Sequence, residues 1–372
     1  MRQTNLDEGL SLTARSCDKM AIMVSVPKIA IIGTGISGLA CASQLHNLAE
    51  ISLFDKSRGV TGRLATRRSD DFSFDHGAGY FSADADFAQW LAPLKARNVV
   101  QQWDAVRVRL SDNAKQQETL PSHDVWVASP GMSALGRAMI ETLKSEGSDR
   151  LDVHLDTPIT RIKPSKPGGH RLYSEGAAGQ VEASFGPFDQ VILAMPPAQA
   201  SALLPADSRL RDACARVKML PCHSLMLGFE TAPNLGWDMA YLEDPILHLI
   251  YAMHPKPGRD GKPRFVIQST YAWSQTQLEK PAQEVGDQMA QRLGELGLLD
   301  AAQATYTSSH RWLYAAAQKP LVNSEPHSQG YLLDASAGIG VIGDWCLGDR
   351  VRHGFASGMA LGQALAQASG DA

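Results

Sequence analysis

The sequence predicts a two-domain α/β protein: a parallel-sheet domain interrupted twice by a smaller α+β domain built on a mixed sheet. Three observations carry this. A strand–glycine turn–helix–strand unit occupies residues 28–55, and buried-strand character returns at 191–194 and 338–343. The stretches between, 83–126 and 199–325, hold most of the tryptophans and several strand-like alternations. The first domain is therefore expected over 25–82, 127–198 and 326–372, and the second over 83–126 and 199–325.

A chain of 372 residues has room for two domains of ~150 residues each. Thirty-five Lys and Arg against 39 Asp and Glu leave a net charge of -4, which gives no electrostatic pull toward nucleic acid or an anionic membrane. With 44% hydrophobic residues the chain is neither disordered nor membrane-like. No apolar run reaches the ~18 residues of a membrane helix, and the end at Ala372 has no apolar tail to anchor it. Cys17, Cys41, Cys214, Cys222 and Cys346 are scattered and odd in number, without a CxxC pair. Neither a disulfide framework nor a metal site is expected, and a reducing cytoplasm is the default. Residues 1–24 lack the apolar core of a secretory signal. Met20 and Met23 precede the first strand, so this segment reads as a loosely ordered extension.

Lys28-Ile-Ala-Ile-Ile-Gly33 is a short apolar β-rich run and reads as a buried strand. Leu39 to Leu48 suits a helix packed on a sheet, and Ile51-Ser-Leu-Phe-Asp55 is the next strand. Gly131 to Ser145 reads as a helix with Met132, Leu135, Met139 and Leu143 on one face; these methionines are core packing, not a cofactor box. Leu151 to Ile162 alternates apolar and polar, with a hairpin expected around Glu175-Gly176. Val191 to Ala194 forms a strand that Pro196 and Pro197 end. Ser224 to Phe229 and Phe265 to Thr270 are strands of the second domain, where Trp273 is core. A last helix runs from Val351 to Ala368; Gly354, Gly358 and Gly362 recur every four residues along it, a spacing that predicts close packing against the first domain.

Gly33-Thr-Gly-Ile-Ser-Gly38 matches GxGxxG, in the strand–turn–helix context that gives the motif meaning. The glycines serve a tight turn, backbone approach to a diphosphate and close helix–strand packing. The following helix offers free N–H groups to the phosphates. Asp55, 22 residues after Gly33, is placed to accept ribose hydroxyls. This is a Rossmann-like dinucleotide site, and on these residues FAD and NAD fit equally.

After Asp55 the chain reads Lys56-Ser-Arg-Gly-Val-Thr-Gly-Arg63. This resembles the RGxGGR segment of the flavin-containing amine oxidases and their relatives, with Thr61 in place of one glycine. Asp75-His-Gly-Ala-Gly-Tyr-Phe81 is similar to the DxGAxxF segment that runs beside the isoalloxazine. Ile159 stands where the family contacts adenine, and Gly343-Asp344 with Val351 to Gly358 resembles its C-terminal GD segment. The resemblance implies an FAD-binding domain of the glutathione-reductase/amine-oxidase type and non-covalent FAD. It assigns the cofactor to Gly33, Gly35, Ile36, Ser37, Gly38, Asp55, Lys56, Arg58, Gly62, Arg63, Gly77, Ala78, Ile159, Ala194, Gly343, Asp344, Val351, Arg352 and His353. Within that superfamily the run Lys56 to Arg68, the DHGAxYF form around His76, Pro130-Gly-Met-Ser-Ala-Leu135 and His310-Arg-Trp-Leu-Tyr314 resemble renalase and bacterial renalase-like proteins.

That resemblance implies an FAD-dependent oxidase of off-isomer dihydronicotinamide dinucleotides, those reduced at ring positions other than the metabolically useful one. O2 would reoxidise the flavin and yield hydrogen peroxide. A dihydropyridine that loses hydride becomes an aromatic cation and needs no general base; no HExxH or GxSxG motif is present. The amine-oxidase lysine is replaced by His223 and Ser224 on the strand Pro221 to Met226, and Arg350 falls where an aromatic cage residue would stand. Arg350, Arg352 and His353 are expected to gather as cations at the last helix. Trp312 and Tyr314 are expected to share a strand face as a flat slot, or to be ordinary strand packing. His76 and His223 are pocket candidates or hydrogen-bonded structural residues. An amine oxidase or desaturase, and an FAD-binding protein without turnover, remain as alternatives.

Overall fold

Apolar strands covered on both faces form the first sheet, which explains their near-continuous hydrophobic runs. Its order is Leu332–Asp334, Ile339–Ile342, Gln190–Ala194, Lys28–Ile32, Glu50–Phe54, Leu151–His154. All neighbours are parallel except the edge pair 332–334 and 339–342. The computed structural model describes residues 26–146, 150–166, 168–174, 183–231, 233–324 and 329–370. A Rossmann-like layer joined to a mixed-sheet domain is the architecture the sequence predicts.

The first crossover helix, Ile36–Leu45, buries Leu39 to Ala42 and Leu45 against this sheet. It ends before Leu48 because the chain turns there toward the strand at Glu50, leaving Leu48 exposed. The last helix, Val351–Gly370, lies against it. A Cβ on Gly354, Gly358 or Gly362 would come 2.8 Å from Ile36 Cγ2, 2.1 Å from Ser37 O and 2.8 Å from Gln44 Cβ respectively. Residues four apart stack on one helical face, so the glycine row lets two backbones approach, as its spacing predicts.

The alternation over 151–162 splits between two sheets. Leu151–His154 joins the parallel sheet, while Ile159–Pro164 pairs antiparallel with His170–Ser174 in a three-stranded sheet. His170–Ser174 then pairs with Ala183–Phe188; the turn expected at Glu175-Gly176 lies outside the described residues.

The second large sheet runs Tyr306–Ala317, Met219–Gly228, Arg264–Ser269, Leu247–Ala252, Met239–Leu242, Arg107–Ser111, Gln116–Thr119. Only the pair 239–242 and 107–111 is parallel. Side chains alternate between its faces. Leu225, Leu227, Ile250 and Ile267 pack with Met289 and Leu293 of the helix Ala282–Glu295, and Trp273 packs against that cluster. Met226, Tyr251 and Val266 face the other way, into the core shared with the first domain.

One domain boundary differs from the expectation. The helices Ala85–Trp90 and Ala92–Ala96, assigned to the second domain, pack against the helices Val351–Gly370 and Ala134–Ser145 instead. The cause is aromatic: Phe87 stacks on Phe355 at 4.5 Å. The first insertion joins the seven-stranded sheet only from Arg107.

The helix contact makes a paired prediction. Gly358→Ala forces backbone apart and is expected to cost about 1–3 kcal/mol. Gly294→Ala, on an exposed helical position with nothing within 4 Å of the new methyl, is expected to gain about 0.4–1 kcal/mol. Urea unfolding of both variants reads the two signs.

Candidate cofactor and active site

At the glycine turn two of the three glycines answer to the protein itself. Gly33 has φ +111°, and a Cβ there would sit 2.1 Å from Ala194 O; one on Gly38 would sit 2.1 Å from Gly33 O. Gly35 is extended, and a Cβ there would meet nothing within 4 Å. Its bareness therefore serves open space, in front of a helix start with no side-chain cap and no acidic residue in its first turn. Uncapped N–H groups at the positive end of a helix dipole, facing a glycine cradle, fit a diphosphate. Ile36 and Ser37 open that helix.

Asp55 is more occupied than the sequence suggests. Its Oδ2 accepts from Thr34 N at 2.9 Å and Thr34 Oγ1 at 2.6 Å, and its Oδ1 accepts from Ser57 N at 2.9 Å. A carboxylate offers about four acceptor positions, so one remains and both ribose hydroxyls cannot be accepted while these bonds hold. Asp55 pins the glycine turn. Lys56 and Arg58 are exposed. Ile159 packs half-buried against the core that holds Phe54, Leu172 and Val191, just after a turn whose Thr157 N donates to Asp55 O at 2.8 Å.

Thr61, standing where the related pattern has glycine, keeps a glycine's conformation with φ +89°. For a β-branched residue this is a strained backbone, costing on the order of 1–3 kcal/mol. It is buried, its N–H donates to Thr34 O at 2.9 Å, and Gly136 leaves room for its methyl. The loop is thereby seated on the dinucleotide turn, with Gly62 3.6 Å from Gly35 Cα by its would-be Cβ.

Arg63 joins three distant segments. Its guanidinium donates to Tyr314 O at 3.2 Å, Ala315 O at 2.9 Å and Asp344 Oδ1 at 2.5 Å. It is a strut between the glycine turn and the closing segment, not a free phosphate ligand. Beside it Gly343 N donates to Ser357 Oγ at 3.1 Å, and Trp345 Nε1 donates to Met195 O at 3.0 Å.

The segment 75–81 crosses in front of this strut. A Cβ on Gly77 would sit 2.0 Å from Arg63 O, and Ala78 N donates to that same oxygen at 2.9 Å. Gln268 Nε2 donates to Gly77 O at 2.8 Å. Asp75, wholly buried, accepts from Met132 N at 2.8 Å, Thr66 Oγ1 at 2.7 Å and Arg259 at 2.6 Å, with Lys256 Nζ at 3.4 Å. Lys256 also donates to Gly79 O at 2.7 Å, and Tyr251 OH donates to Asp75 O at 2.5 Å. Burial opposes the charge of Asp75, yet Lys256 and Arg259 hold its carboxyl below the usual range. Burial pushes Lys256 down to about 7 against the pull of Asp75. Lys256, Arg259 and Tyr251 were invisible to sequence reading: His254-Pro-Lys-Pro-Gly-Arg259 has the composition of an exposed loop.

His76, His310 and Trp312 form one aromatic cluster, with ring centroids 4.5–5.0 Å apart. Trp312 Nε1 and Ser224 Oγ both donate to His76 O, at 2.9 and 2.8 Å. Ser224 pairs with His310 and Cys222 with Trp312, so these side chains share the sheet face toward segment 75–81. His223 and Arg311 pair on the opposite face, with Leu225 and Ser309, where the helix 282–295 packs. His223 Nδ1 lies 3.2 Å from Ser274 Oγ. The expectation that His223 lines the pocket is thus corrected: strand parity turns it away. Tyr314 falls where the register shifts between the pairs Cys222↔Trp312 and Leu220↔Ala316, so its spacing from Trp312 does not set a common face. Burial, with neighbouring His310 and Arg67 for His76 and Arg311 and His310 for His223, pushes both down to about 4.

The three expected cations at the last helix take different partners. His353 Nδ1 accepts from Arg350 N at 3.2 Å and is lowered by burial and Arg352. Arg352 donates to Ser82 Oγ at 3.3 Å, and Val351 packs on the main core. Arg350 alone is exposed, 3.3 Å from Asp349, within electrostatic reach of Tyr80, His248 and Tyr271. A cleft of about 530 Å³ lies there, lined by Lys218, Leu220, His248, Thr270, Tyr271, Ala272, Gln275 and Gln318. Among the described residues no group of three or more His, Cys, Asp or Glu is placed to hold a metal ion.

A glycine nest on an uncapped helix, closed by a distant acid and faced by a mixed-sheet domain, has the form of a dinucleotide-binding fold. Residues 31–94 match the NAD(P)-binding Rossmann-like domain, and residues 96–346 match the family described as flavin containing amine oxidoreductase. The chain belongs to that flavin-dependent family. It is similar in fold to cyclohexylamine oxidase from Brevibacterium oxydans IH-35A, with 13% identity, 92% of this chain and 99% of that one covered, and a TM-score of 0.69. Putrescine oxidase bound to putrescine gives 13% identity, 91% and 98% coverage and a TM-score of 0.66. A 4,4'-diapophytoene desaturase from Staphylococcus aureus (strain Newman) is 41% identical over 51 residues, 13% of this chain and 10% of that relative's length. Among the described residues no helix is long and apolar enough to cross a membrane.

Two predictions arise here. Asp75→Asn leaves Lys256 and Arg259 buried without their counter-charge and is expected to cost about 3–5 kcal/mol in urea unfolding. His76 and His223 stay neutral in the fold at pH values where the unfolded chain protonates them. Stability is therefore expected to fall as pH drops from 6.5 toward 4, by up to about 1.4 kcal/mol per pH unit for each proton taken up only on unfolding. His223→Asn should flatten that slope.

Proposed function

We propose that the protein is an oxidase with non-covalent FAD that takes hydride from an off-isomer dihydronicotinamide dinucleotide. The observation that carries this reading is the cleft at His248 and Tyr271. Its lining includes Lys218 and no carboxylate, and the ion pair of Arg350 with Asp349 lies within electrostatic reach of it. A substrate bearing phosphates suits that field; an amine does not.

The residues present fit FAD. The N–H groups beginning at Ile36 would face its diphosphate across Gly35, and the strip Gly77–Ala78 would offer the ring system a flat backbone wall. Bound FAD would supply the two-electron acceptor, with O2 as the final oxidant and hydrogen peroxide as the product. The protein's own part is to exclude water and to orient. His76 and His310, both pushed down to about 4 chiefly by burial, are neutral at pH 7 and add no charge beside that wall. No proton need be removed, since the departing hydride leaves an aromatic nicotinamide. Burial raises the Cys346 thiol far above its ordinary range, which keeps it unreactive and supports a non-covalent cofactor. Buried free cysteines at Cys41, Cys214, Cys222 and Cys346 support a cytoplasmic setting.

Anaerobic mixing with an off-isomer dihydronicotinamide dinucleotide is expected to bleach the flavin within seconds, and amines are expected to leave it oxidised. Bleaching by amines alone would place the protein with the amine oxidases, and bleaching by neither with flavin-binding proteins that do not turn over. Gly35→Val is expected to purify without flavin, because its side chain fills the cradle.

A further inference from the structure

A second cleft, of about 360 Å³, shares His248 with the first and is lined by Arg107, Arg109, Tyr241 and Glu243 among others. Arg107 and Tyr241 come from the one parallel strand pair of the second sheet, and the guanidinium lies 5.8 Å from the Tyr241 ring. The Tyr241 hydroxyl is 2.7 Å from that of Tyr80. Tyr80 belongs to the segment carrying Gly77 and Ala78, so one hydrogen bond ties this cleft's lining to that segment.

Its two arginines are not paired alike. Arg109 holds Glu118 at 2.7 Å and Glu243 at 3.9 Å, which occupies the carboxylate in the lining. Arg107 has no carboxylate partner among the described residues: its NH1 donates to Pro121 O at 3.0 Å and meets His123 Nδ1, and its Nε is buried without a partner. Arg350 lies within electrostatic reach of Tyr80, His123 and His248. An orphaned guanidinium N–H is costly to leave unpaired, and its fork geometry matches a phosphate oxyanion.

We infer that this cleft is a phosphate subsite for the substrate, in which Arg107, supported by Arg350, grips the phosphate or diphosphate of a molecule whose reduced ring lies in the neighbouring cleft. The inference rests on the reading of the substrate as a dihydronicotinamide dinucleotide and says which end of it the second sheet holds. It makes the sheet a ruler: the ring in the cleft at Tyr271, phosphate recognition at Arg107, with His248 shared between them.

The test uses the holoprotein with one reduced off-isomer in three forms: dinucleotide, mononucleotide and phosphate-free riboside. Arg107→Gln is expected to raise KM for the two phosphorylated forms by about 10- to 100-fold, with kcat and the riboside KM unchanged. Arg107→Lys should recover part of the loss. An equal rise for the riboside, or no rise for any form, overturns the subsite. Calorimetric titration of ADP and inorganic pyrophosphate into oxidised wild type and Arg107→Gln provides an arm independent of turnover. Binding lost in the variant supports the subsite, and wild type that binds neither anion overturns it. If no reduced form bleaches the flavin while anion binding still depends on Arg107, the anion site stands and the substrate reading falls.

Discussion

Asp75 is sealed from water and still ionised, because Arg259 and Lys256 reach it from a loop of the second sheet while Met132 N and Thr66 bind it from the first domain. Removing such charges from water costs several kcal/mol, and only good geometry with satisfied lone pairs repays it. The gain is positional. With Asp75 held, Lys256 fixes Gly79 O, Gly77 and Ala78 press on Arg63 O, and Arg63 in turn holds Asp344. Segments far apart in the chain become one rigid wall through a series of contacts that starts at a single carboxylate.

The candidate site is built mostly from backbone. Carbonyls of His76, Gly77, Gly79, Tyr314 and Ala315 take the hydrogen bonds that hold it, and the side chains doing the holding are remote from one another in sequence. Such a surface suits a flat, electron-accepting ring that needs placement more than proton transfer. In the proposed reading specificity falls to the rim, where Arg350, Lys218 and His248 are exposed.

The Rossmann-like layer was legible in the sequence because its strands and turn are local: Lys28 to Asp55 forms one unit whose residues contact each other. The glycine row of the last helix was legible for the same reason of periodicity. What escaped reading depends on pairings between distant segments. The parity of His223 is set by its pairing with Arg311, and the placement of residues 85–96 by Phe355, neither of which leaves a local mark. Asp55 was recognised as an acid in the right place, but its engagement by Thr34 depends on side-chain geometry that spacing does not encode. Thr61 is the reverse case. Its departure from the glycine pattern was visible, and the structure shows the unusual backbone angle persisting under a residue ill suited to it.

The glycine row on the last helix has a consequence for biosynthesis. Ile36 and Ser37 are packed by Gly354 and Gly358, some three hundred positions downstream, which leave the ribosome roughly 15–60 s later at ~5–20 residues per second. During that interval the nascent amino-terminal layer presents an uncovered helix. The contact between the two helices is therefore complete only once the last helix has been synthesised and has docked.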